Sequence, residues 1–317
     1  MRVRVIGAGV IGLSVALRLL QRGHDVTITA TSTGTDTTSS VAAALWYPYL
    51  AAPAEKTRRW GAVTYDVLTT LAASRPESGV DVRWGREHRR VPSEVPAWHA
   101  DVAGFATLDD GSWRFAAPVA DMATYLPWLA GEVRSAGGRI TRGEPISARA
   151  LRAARRDEQD VVVLATGLGS REVAGDASVE PVRGQVVLVA QVGLDEWVLD
   201  STGDASAPTY VVPRRDVIVC GGTALSERWD TDVDPATTAD ILARCRTLVP
   251  ALRRADVRDV RVGLRPTRPS VRLERADELG SGDVAVVACY GHGGAGVTLS
   301  WGCAQDVVEL IDGEPGT

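Results

Sequence analysis

The N-terminal part of the chain contains the pattern that most restricts its fold. Arg2–Ile6 alternates in polarity as a short β-strand, and an apolar helical pattern follows over Ile11–Gly23. Asp25–Ala30 has the composition of a second strand. A strand, a helix and a strand in this order form a βαβ unit, whose two strands lie parallel in one sheet. The chain is therefore expected to begin as an α/β fold.

Three glycines at positions 7, 9 and 12 join the first strand to the helix, at the spacing of the dinucleotide-binding fingerprint. Gly7 permits a tight turn, Gly9 lets the backbone approach a pyrophosphate, and Gly12 lets the helix pack on the strand. The positive end of the helix then faces the phosphates. The sequence thus predicts a bound dinucleotide.

The end of the second strand lacks the acidic residue that usually binds the ribose hydroxyls. Ala30, Thr31 and Ser32 occupy this place, and no arginine is present to bind a 2′-phosphate. Asp36 lies nearby in a polar loop. The group that binds the ribose is left open.

Two later segments also read as strands that run into small-residue turns. Asp160–Gly167 leads into ATGLGS, and Asp283–Gly291 leads into a glycine-rich loop that precedes a helix over Thr298–Leu310. All three loops would meet at the carboxyl ends of one parallel sheet, where doubly wound folds bind ligands. An NAD-dependent dehydrogenase needs only the first loop, whereas a longer ligand with a tricyclic head would use all three.

Composition excludes several classes of protein. The 317 residues are 45% hydrophobic and 24% charged, as in ordinary globular proteins, and the net charge of −5 argues against a nucleic-acid surface. The four cysteines form no CxxC pair, so no metal site is expected, and the sequence does not pair them as disulfides. Val284–Gln305 has no charged residue, but its glycines and His292 argue against a membrane span.

Five blocks of the sequence together resemble the D-amino-acid oxidase family. In order, they read RVRVIGAGVIGLSVALRLL, VAAALWYPY, PTYVVP, VGLRPTRPSVRLER and YGHGGAGVTLSWGCA. The resemblance spans nearly the whole chain, and the arginine block and the C-terminal block are its most specific parts. It implies an α/β fold with a Rossmann-like FAD-binding domain and a substrate domain whose sheet is mainly antiparallel.

Both domains are expected to be discontinuous. We assign residues 1–50, 118–183 and 258–317 to the FAD-binding domain, and residues 51–117 and 184–257 to the substrate domain. The segments GVDVRWGREHRRV, GFATLDDGSWRFAAP and GQVVLVAQVGLDEWVLD read as short strands of the substrate domain. DMATYLPWLAGEVRSAGG and PATTADILARCRTLVPAL read as helices.

The resemblance implies FAD, bound without a covalent bond. The last helix begins at the glycine-rich loop, and its N-terminus would stabilise the negative charge of the reduced flavin. The expected cofactor-binding residues are Gly7, Gly9, Val10, Ile11, Gly12, Thr31, Thr38, Ser39, Ala42, Ala43, Ala44, Leu45, Thr166, Gly167, Arg265, Gly291, Gly293, Gly294, Gly296, Val297 and Thr298.

An arginine-rich segment supplies the candidate for substrate binding. Its arginines are Arg261, Arg265, Arg268, Arg272 and Arg275. Pro266 and Pro269 exclude a regular helix here, so the segment is extended. An arginine between Leu264 and Pro266 is a candidate for burial, and a buried guanidinium needs an anionic partner such as a carboxylate. Structural ion pairs are expected for the other four arginines.

The resemblance assigns roles to individual residues of the substrate site. The carboxylate-binding arginine of the family falls on Arg265, the tyrosine that donates to the same carboxylate falls on Tyr210, and the carbonyl group of Gly294 lies near the substrate amine. These are the expected catalytic residues. The expected substrate pocket consists of Leu45, Tyr47, Tyr210, Val212, Arg265 and Gly294.

Some positions depart from the family pattern or have a structural alternative. Ser206 stands where many members have a second tyrosine, which affects the lid of the pocket, and Ala44 replaces a glycine. Trp46 and Tyr49 are expected to pack in the core. His292 is expected to be structural, because hydride transfer from Cα to flavin N5 needs no base on Cα.

The implied reaction is oxidation of a D-amino acid to an imino acid, which hydrolyses to a 2-oxo acid and ammonia while oxygen is reduced to hydrogen peroxide. A D-aspartate oxidase or a glycine/sarcosine-type oxidase is the alternative; an acidic substrate would need a second cation such as Arg214, Arg215 or Arg228. From other classes, a flavin-free binding protein of the GDP-dissociation-inhibitor type and an NAD-dependent dehydrogenase remain. We expect a cytoplasmic homodimer with D-amino acid and oxygen as partners, and no nucleic acid or membrane.

Overall fold

The computed structural model describes residues 1–49, 51–90 and 94–313; residues 50 and 314–317, at the ends of the expected FAD-binding segments, and 91–93 lie outside this description. The strands are β1 (Arg2–Ile6), β2 (Asp25–Ala30), β3 (Val80–His88), β4 (Ala106–Thr107), β5 (Trp113–Ala120), β6 (Arg139–Arg142), β7 (Val161–Leu164), β8 (Glu180–Ala190), β9 (Trp197–Asp200), β10 (Thr209–Pro213), β11 (Val217–Gly221), β12 (Leu225–Ser226), β13 (Val257–Arg275) and β14 (Ala285–His292). The helices are α1 (Val10–Gln21), α2 (Ala54–Ser74), α3 (Met122–Ser135), α4 (Ala148–Arg152), α5 (Ser170–Val173), α6 (Pro235–Leu248) and α7 (Gly296–Asp312).

Five strands form the parallel half of the sheet, in the order β14, β7, β1, β2, β6. The registers Ile6↔Leu164 and Leu164↔Ala288 place the carboxyl ends of β1, β7 and β14 side by side. The three loops that the sequence predicted to converge therefore do converge. The α/β fold class and the parallel βαβ start are confirmed.

The other half of the sheet, in the order β4, β5, β3, β9, β10, β11, β8, is antiparallel except for the parallel pair β3 and β9. This agrees with the expected mainly antiparallel sheet. Helix α6 packs on this half, with Ile241 and Cys245 buried against β8, β10 and β11.

Strand β13 joins the two halves. It pairs with β8 as far as Thr267, and beyond a register shift between Thr267 and Arg272 it continues with β14. Pro269 lies within the shift, and a proline cannot donate a backbone hydrogen bond to the ladder. The side chain of Arg265 is thus placed where β13 passes from one half to the other.

Helix α2 is the largest element that the sequence did not predict. Its buried positions follow helical spacing, but half of them are threonine or glycine rather than large apolar residues: Thr57, Trp60, Gly61, Thr64, Tyr65 and Leu68. Packing on α7 stabilises this helix. At this contact, Gly302 lies against the backbone of Trp60 and the Trp60 indole donates to Asp306. A hydrophobic pattern alone does not reveal such a close helix contact.

The uncharged stretch and the cysteines have simple structural explanations. Val284–Gln305 is divided between β14 and the first half of α7, and no helix among the described residues has the length and apolar character needed to cross a membrane. The four cysteines are free thiols buried in hydrophobic cores. Cys289 and Cys303 lie in the core that includes α1 and α7, and Cys220 and Cys245 lie in the core beneath α6.

Candidate active site

An elongated cavity of about 610 Å³ runs along the carboxyl ends of the parallel strands and continues over β10 and β13. Thr31 and Asp36 lie at one end, and Tyr210 and Arg265 line the part over the antiparallel half. Predicted cofactor and pocket residues that line it are Gly7, Gly9, Val10, Ile11, Thr31, Thr38, Ser39, Ala42, Ala43, Ala44, Leu45, Tyr47, Thr166, Gly167, Tyr210, Val212, Arg265, Gly291, Gly293, Gly294, Gly296, Val297 and Thr298.

Gly12 is the predicted cofactor residue that does not line the cavity. A Cβ atom at this position would lie 1.9 Å from the carbonyl oxygen of Gly7, so the glycine lets α1 pack on the preceding turn. Gly7 itself has φ of +116°, which a residue with a side chain rarely adopts. The roles predicted for Gly7 and Gly12, a tight turn and close packing, agree with this geometry.

Two helices, α1 and α7, begin at the cavity without a polar residue at the N-cap. Gly9 and Ala295 hold these positions, whereas α3 and α6 are capped by the carboxylates of Asp121 and Asp234. The first N–H group of α1, that of Val10, donates to Ser39 Oγ at 3.0 Å, but the positive end of each helix dipole faces the cavity. Both ends are therefore suited to anionic groups of a ligand.

The end of the cavity beyond β2 contains the acid that the strand itself lacks. Short 3₁₀ turns at Gly34–Asp36 and Thr38–Val41 fold back so that Asp36 lines the cavity together with Thr31 and Ser32. Glu144, which follows β6, lines the cavity as well. No sequence pattern pointed to Glu144, since only the pairing of β6 with β2 brings it here.

Arg265 differs from the other arginines of its strand in its partners. Its Nη1 donates to the Thr223 carbonyl oxygen at 2.9 Å, and among the described residues it has no carboxylate partner. The other four form ion pairs, as predicted: Arg261 with Asp259, Arg268 with Asp176, Arg272 with Glu274 and Glu278, and Arg275 with Asp277. The guanidinium that lines the cavity is thus left to pair with an anionic ligand.

Tyr210 lies beside Arg265, and two glycines make room for the pair. A Cβ atom at Gly184 would lie 2.5 Å from the guanidinium of Arg265, and one at Gly221 would lie 1.9 Å from the Tyr210 ring. Burial raises the pKa of Tyr210, and the neighbouring Arg265 partly opposes this rise. The hydroxyl therefore remains protonated and can donate a hydrogen bond to an anion.

Another part of the cavity wall is built from the segment that follows Leu45. Thr298 in the first turn of α7 accepts from the backbone N–H of Tyr47 at 3.1 Å and donates to its carbonyl group at 3.0 Å. The ring of Tyr49 lies against Gly294, where a Cβ atom would approach it to 2.9 Å. Tyr49 was assigned to packing, but it lines the cavity; its backbone N–H donates to the Tyr47 carbonyl oxygen at 2.8 Å, so a tight turn places it there.

Arg214 is buried behind the small-residue run that lines the cavity. Its Nη2 donates to the carbonyl groups of Ala42 at 2.5 Å and Ala43 at 3.1 Å, and its Nη1 lies 3.4 Å from Asp121. Burial lowers the pKa of Arg214 to about 10, and the Asp121 carboxylate partly opposes this effect. The side chain supports the loop from behind and does not enter the cavity.

Two further residues near the cavity have roles that the sequence did not define. Glu87 in β3 is fully buried and accepts hydrogen bonds from Tyr47 and Ser201, both of which line the cavity. His292, predicted to be structural, is 5% exposed and lines the cavity, and its Nε2 has no partner among the described residues.

Comparisons with known proteins agree with the described fold. The family model described as "FAD dependent oxidoreductase" matches residues 2–103 and 66–310. A D-amino-acid oxidase of Rubrobacter xylanophilus is 46% identical over 98% of this chain and 95% of its own length. A human D-aspartate oxidase is 33% identical over 98% of this chain and 94% of its own length.

Solved structures also resemble this fold. A glycine oxidase from Bacillus cereus superimposes with a TM-score of 0.77, covering 99% of this chain and 96% of the glycine oxidase. The two sequences are 22% identical, so this match establishes the shared fold only.

Proposed function

Because the chain belongs to the D-amino-acid oxidase family of FAD-dependent oxidoreductases, we propose that it oxidises D-amino acids. The first product is an imino acid, which hydrolyses to a 2-oxo acid and ammonia, and oxygen is reduced to hydrogen peroxide. Bound FAD supplies the acceptor for the hydride that leaves Cα and then transfers the electrons to oxygen. The protein supplies binding, orientation and electrostatic stabilisation.

The residues that line the cavity fit the dinucleotide FAD. The turn at Gly7 and Gly9 leaves room at the N-terminus of α1, where a pyrophosphate would accept from backbone N–H groups. Asp36 and Glu144 are the carboxylates that could accept from ribose hydroxyls in place of the missing acid of β2. The uncapped N-terminus of α7 would stabilise negative charge on the flavin ring.

The observation that carries the proposal is the unpaired guanidinium of Arg265 beside Tyr210. Arg265 would bind the substrate carboxylate with its fork of N–H donors, and Tyr210 would donate its hydroxyl to the same group. Gly294 lies against Tyr49 and close to the Arg265 side chain, and its carbonyl group would accept from the substrate amine. These contacts would hold the Cα–H bond in one orientation, and catalysis would come mainly from positioning.

The placement of the basic residues favours a D-amino acid without an acidic side chain over D-aspartate. Among the described residues, Arg265 is the one arginine or lysine that lines the cavity. Arg214 supports the loop from behind, while Arg215 pairs with Asp81 and Arg228 pairs with Asp230. None of the three candidate second cations is therefore placed to bind a side-chain carboxylate.

Other features of the enzyme follow as proposals. FAD would be held without a covalent bond, since the groups proposed above would bind it by hydrogen bonds. Acid precipitation should then release all of the flavin. The division into domains at residues 1–50, 118–183 and 258–317 against 51–117 and 184–257 stays a prediction. We also propose a cytoplasmic homodimer, and light scattering during size-exclusion chromatography would test the assembly.

The reaction is tested by mixing the purified yellow protein anaerobically with D-alanine and, separately, with L-alanine. The flavin absorbance should bleach with the D-isomer alone, as expected from the relatives named D-amino-acid oxidase. Bleaching by L-alanine would contradict the stereochemical assignment. An absorbance that changes with neither isomer, nor with D-aspartate or glycine, would reject the proposed reaction.

Replacing Arg214 with methionine is expected to raise the dissociation constant of FAD by about tenfold or more. The carbonyl groups of Ala42 and Ala43 would lose charge-assisted hydrogen bonds, and the loop that lines the cavity would be less well fixed. Flavin fluorescence released on dilution measures this constant. The matched control is Arg215→Met, which removes an exposed pair with Asp81 and should leave FAD binding within twofold of the parent.

A further inference from the structure

A buried carboxylate organises the polar groups on one part of the cavity wall. Glu87 Oε2 accepts from the Tyr47 hydroxyl at 2.9 Å, and Glu87 Oε1 accepts from the Ser201 hydroxyl at 2.6 Å. Arg89 donates to the same Oε1 at 2.6 Å. Glu87 is fully buried and is not itself part of the cavity lining, whereas Tyr47 and Ser201 are.

The direction of these hydrogen bonds decides what the cavity offers to a ligand. A hydroxyl group has one proton to donate, and Tyr47 and Ser201 each donate it to the carboxylate of Glu87. Burial, and then the negative charge of Glu87, raises the pKa of Tyr47 well above its usual value, so its hydroxyl stays a donor to Glu87. Towards the cavity, both oxygens can therefore only accept hydrogen bonds.

The neighbouring residue has the same polarity. Asp200 at the end of β9 also lines the cavity, and its Oδ1 accepts from the backbone N–H and the hydroxyl of Thr202. The side chains of Tyr47, Asp200 and Ser201 thus form a part of the cavity wall that accepts hydrogen bonds, here called the acceptor wall. Arg265, the one arginine of the described cavity lining, would bind the α-carboxylate of the substrate.

We propose that Glu87 is a specificity-determining residue that orients Tyr47 and Ser201 as acceptors. The enzyme thereby prefers D-amino acids whose side chains carry N–H or O–H donors over isosteric ones that carry a carboxylate. This inference rests on the proposed D-amino-acid oxidation. Glu87 acts on the substrate side chain through Tyr47 and Ser201, and it does not contact the reacting atoms.

The physical basis of the discrimination is the cost of leaving buried polar groups unpaired. A side-chain carboxylate beside the acceptor wall would lose its hydration and gain no donor, while an amide of the same shape would donate to the wall. A site that binds a donor in this way rejects an isostere without one more strongly than an apolar pocket does. D-asparagine and D-aspartate are the matched pair that isolates this effect.

The decisive variant is Glu87→Gln, assayed with D-asparagine, D-aspartate and D-alanine. The glutamine keeps the shape of the side chain, but its one carbonyl oxygen cannot accept from every present donor. With the oxygen towards Arg89 and Ser201, its NH₂ group would donate to Tyr47, whose proton would then turn to the cavity. The preference for D-asparagine over D-aspartate in kcat/KM should fall by about tenfold.

The distribution of the effect between kinetic constants separates positioning from general damage. The change should lie in KM and in the apparent Kd obtained from anaerobic flavin reduction, because the side-chain contact is made in the bound substrate. D-alanine, which has no donor or carboxylate in its side chain, serves as the internal reference for each variant. A merely structural role of Glu87 would lower the rates with all three substrates by the same factor.

Two further variants keep the test decisive. Glu196→Gln makes the same charge change at an exposed pair with Arg114 and should leave the preference unchanged. Ser201→Ala removes one acceptor from an exposed loop residue, so folding is not at risk, and should lower the preference by about threefold. If Glu87→Gln loses its FAD, Ser201→Ala decides the question.

The outcomes for the inference and for the proposed function are distinct. An asparagine-to-aspartate preference that stays within twofold of the parent in both Glu87→Gln and Ser201→Ala would overturn the role of Glu87 while D-amino-acid oxidation stands. A parent protein whose flavin is reduced by none of the three substrates would instead contradict the proposed function itself.

Discussion

Replacing Arg265 with alanine is expected to lower kcat/KM for D-alanine by about two to three orders of magnitude while FAD stays bound. The guanidinium is the one basic side chain of the described cavity lining that has no carboxylate partner, so its removal leaves the substrate carboxylate without a counter-ion. Most of the loss should lie in KM. Steady-state peroxide production measures the kinetics, and the ratio of flavin to protein absorbance checks the cofactor.

The same strand provides the matched control. Arg268→Ala removes a guanidinium three positions further along β13, but this one pairs with Asp176. Its kcat/KM should stay within about threefold of the parent, because a largely structural ion pair is lost. Arg265→Lys should fall between the two, since lysine keeps the charge without the bidentate fork. Near-parent activity of Arg265→Ala would remove the arginine from the proposed substrate site.

Replacing Gly12 with alanine is expected to reduce the FAD content of the purified protein to about a tenth or less of the parent value. The new Cβ atom would lie 1.9 Å from the backbone carbonyl oxygen of Gly7. No flexible side chain can relieve this clash, so the turn at Gly7 that would bind the pyrophosphate must move. The melting temperature should fall with the loss of the cofactor. Flavin absorbance and thermal unfolding, with and without added FAD, measure both effects.

Gly131→Ala is the control for this substitution. Gly131 lies inside α3, and a Cβ atom there would meet no other atom within 4 Å. Alanine should stabilise this helix by about 0.5–1 kcal/mol and leave the FAD content unchanged. If Gly12→Ala also retained a full complement of FAD, the close packing of α1 on the first turn would not be what positions the cofactor.

The parts of the fold that the sequence predicted are those with a strong local pattern. The βαβ start, the two later strands with their glycine loops and helices α3, α6 and α7 each have alternating or helical periodicity and a clear stop signal. Helix α2 was not predicted, because its buried face uses threonine and glycine in a contact that depends on α7. The assignment of Arg265 likewise needed no knowledge of the tertiary structure. It rested on an extended, proline-flanked segment and on the family resemblance.

Other parts of the site depend on pairings between distant segments. Glu144 reaches the cavity because β6 pairs with β2. Glu87 reaches Ser201 because β3 pairs with β9, and it reaches Tyr47 because Leu45 bridges to β5, the other neighbour of β3. Neither carboxylate lies in a motif. Asp36 was visible in the sequence as an acid near the end of β2, but only the folding back of its loop shows that it lines the cavity.

The sequence by itself determined the nucleotide-binding start, the two later strands with their small-residue loops and the residues able to bind a carboxylate, because spacing along the chain encodes backbone conformation and local contacts. The tertiary structure decided which carboxylates reach the cavity and which hydroxyls are turned into acceptors. Those properties depend on which charges and hydrogen-bond donors meet across the sheet. Partners of this kind are set by strand register over long separations, and a single sequence does not specify that register locally.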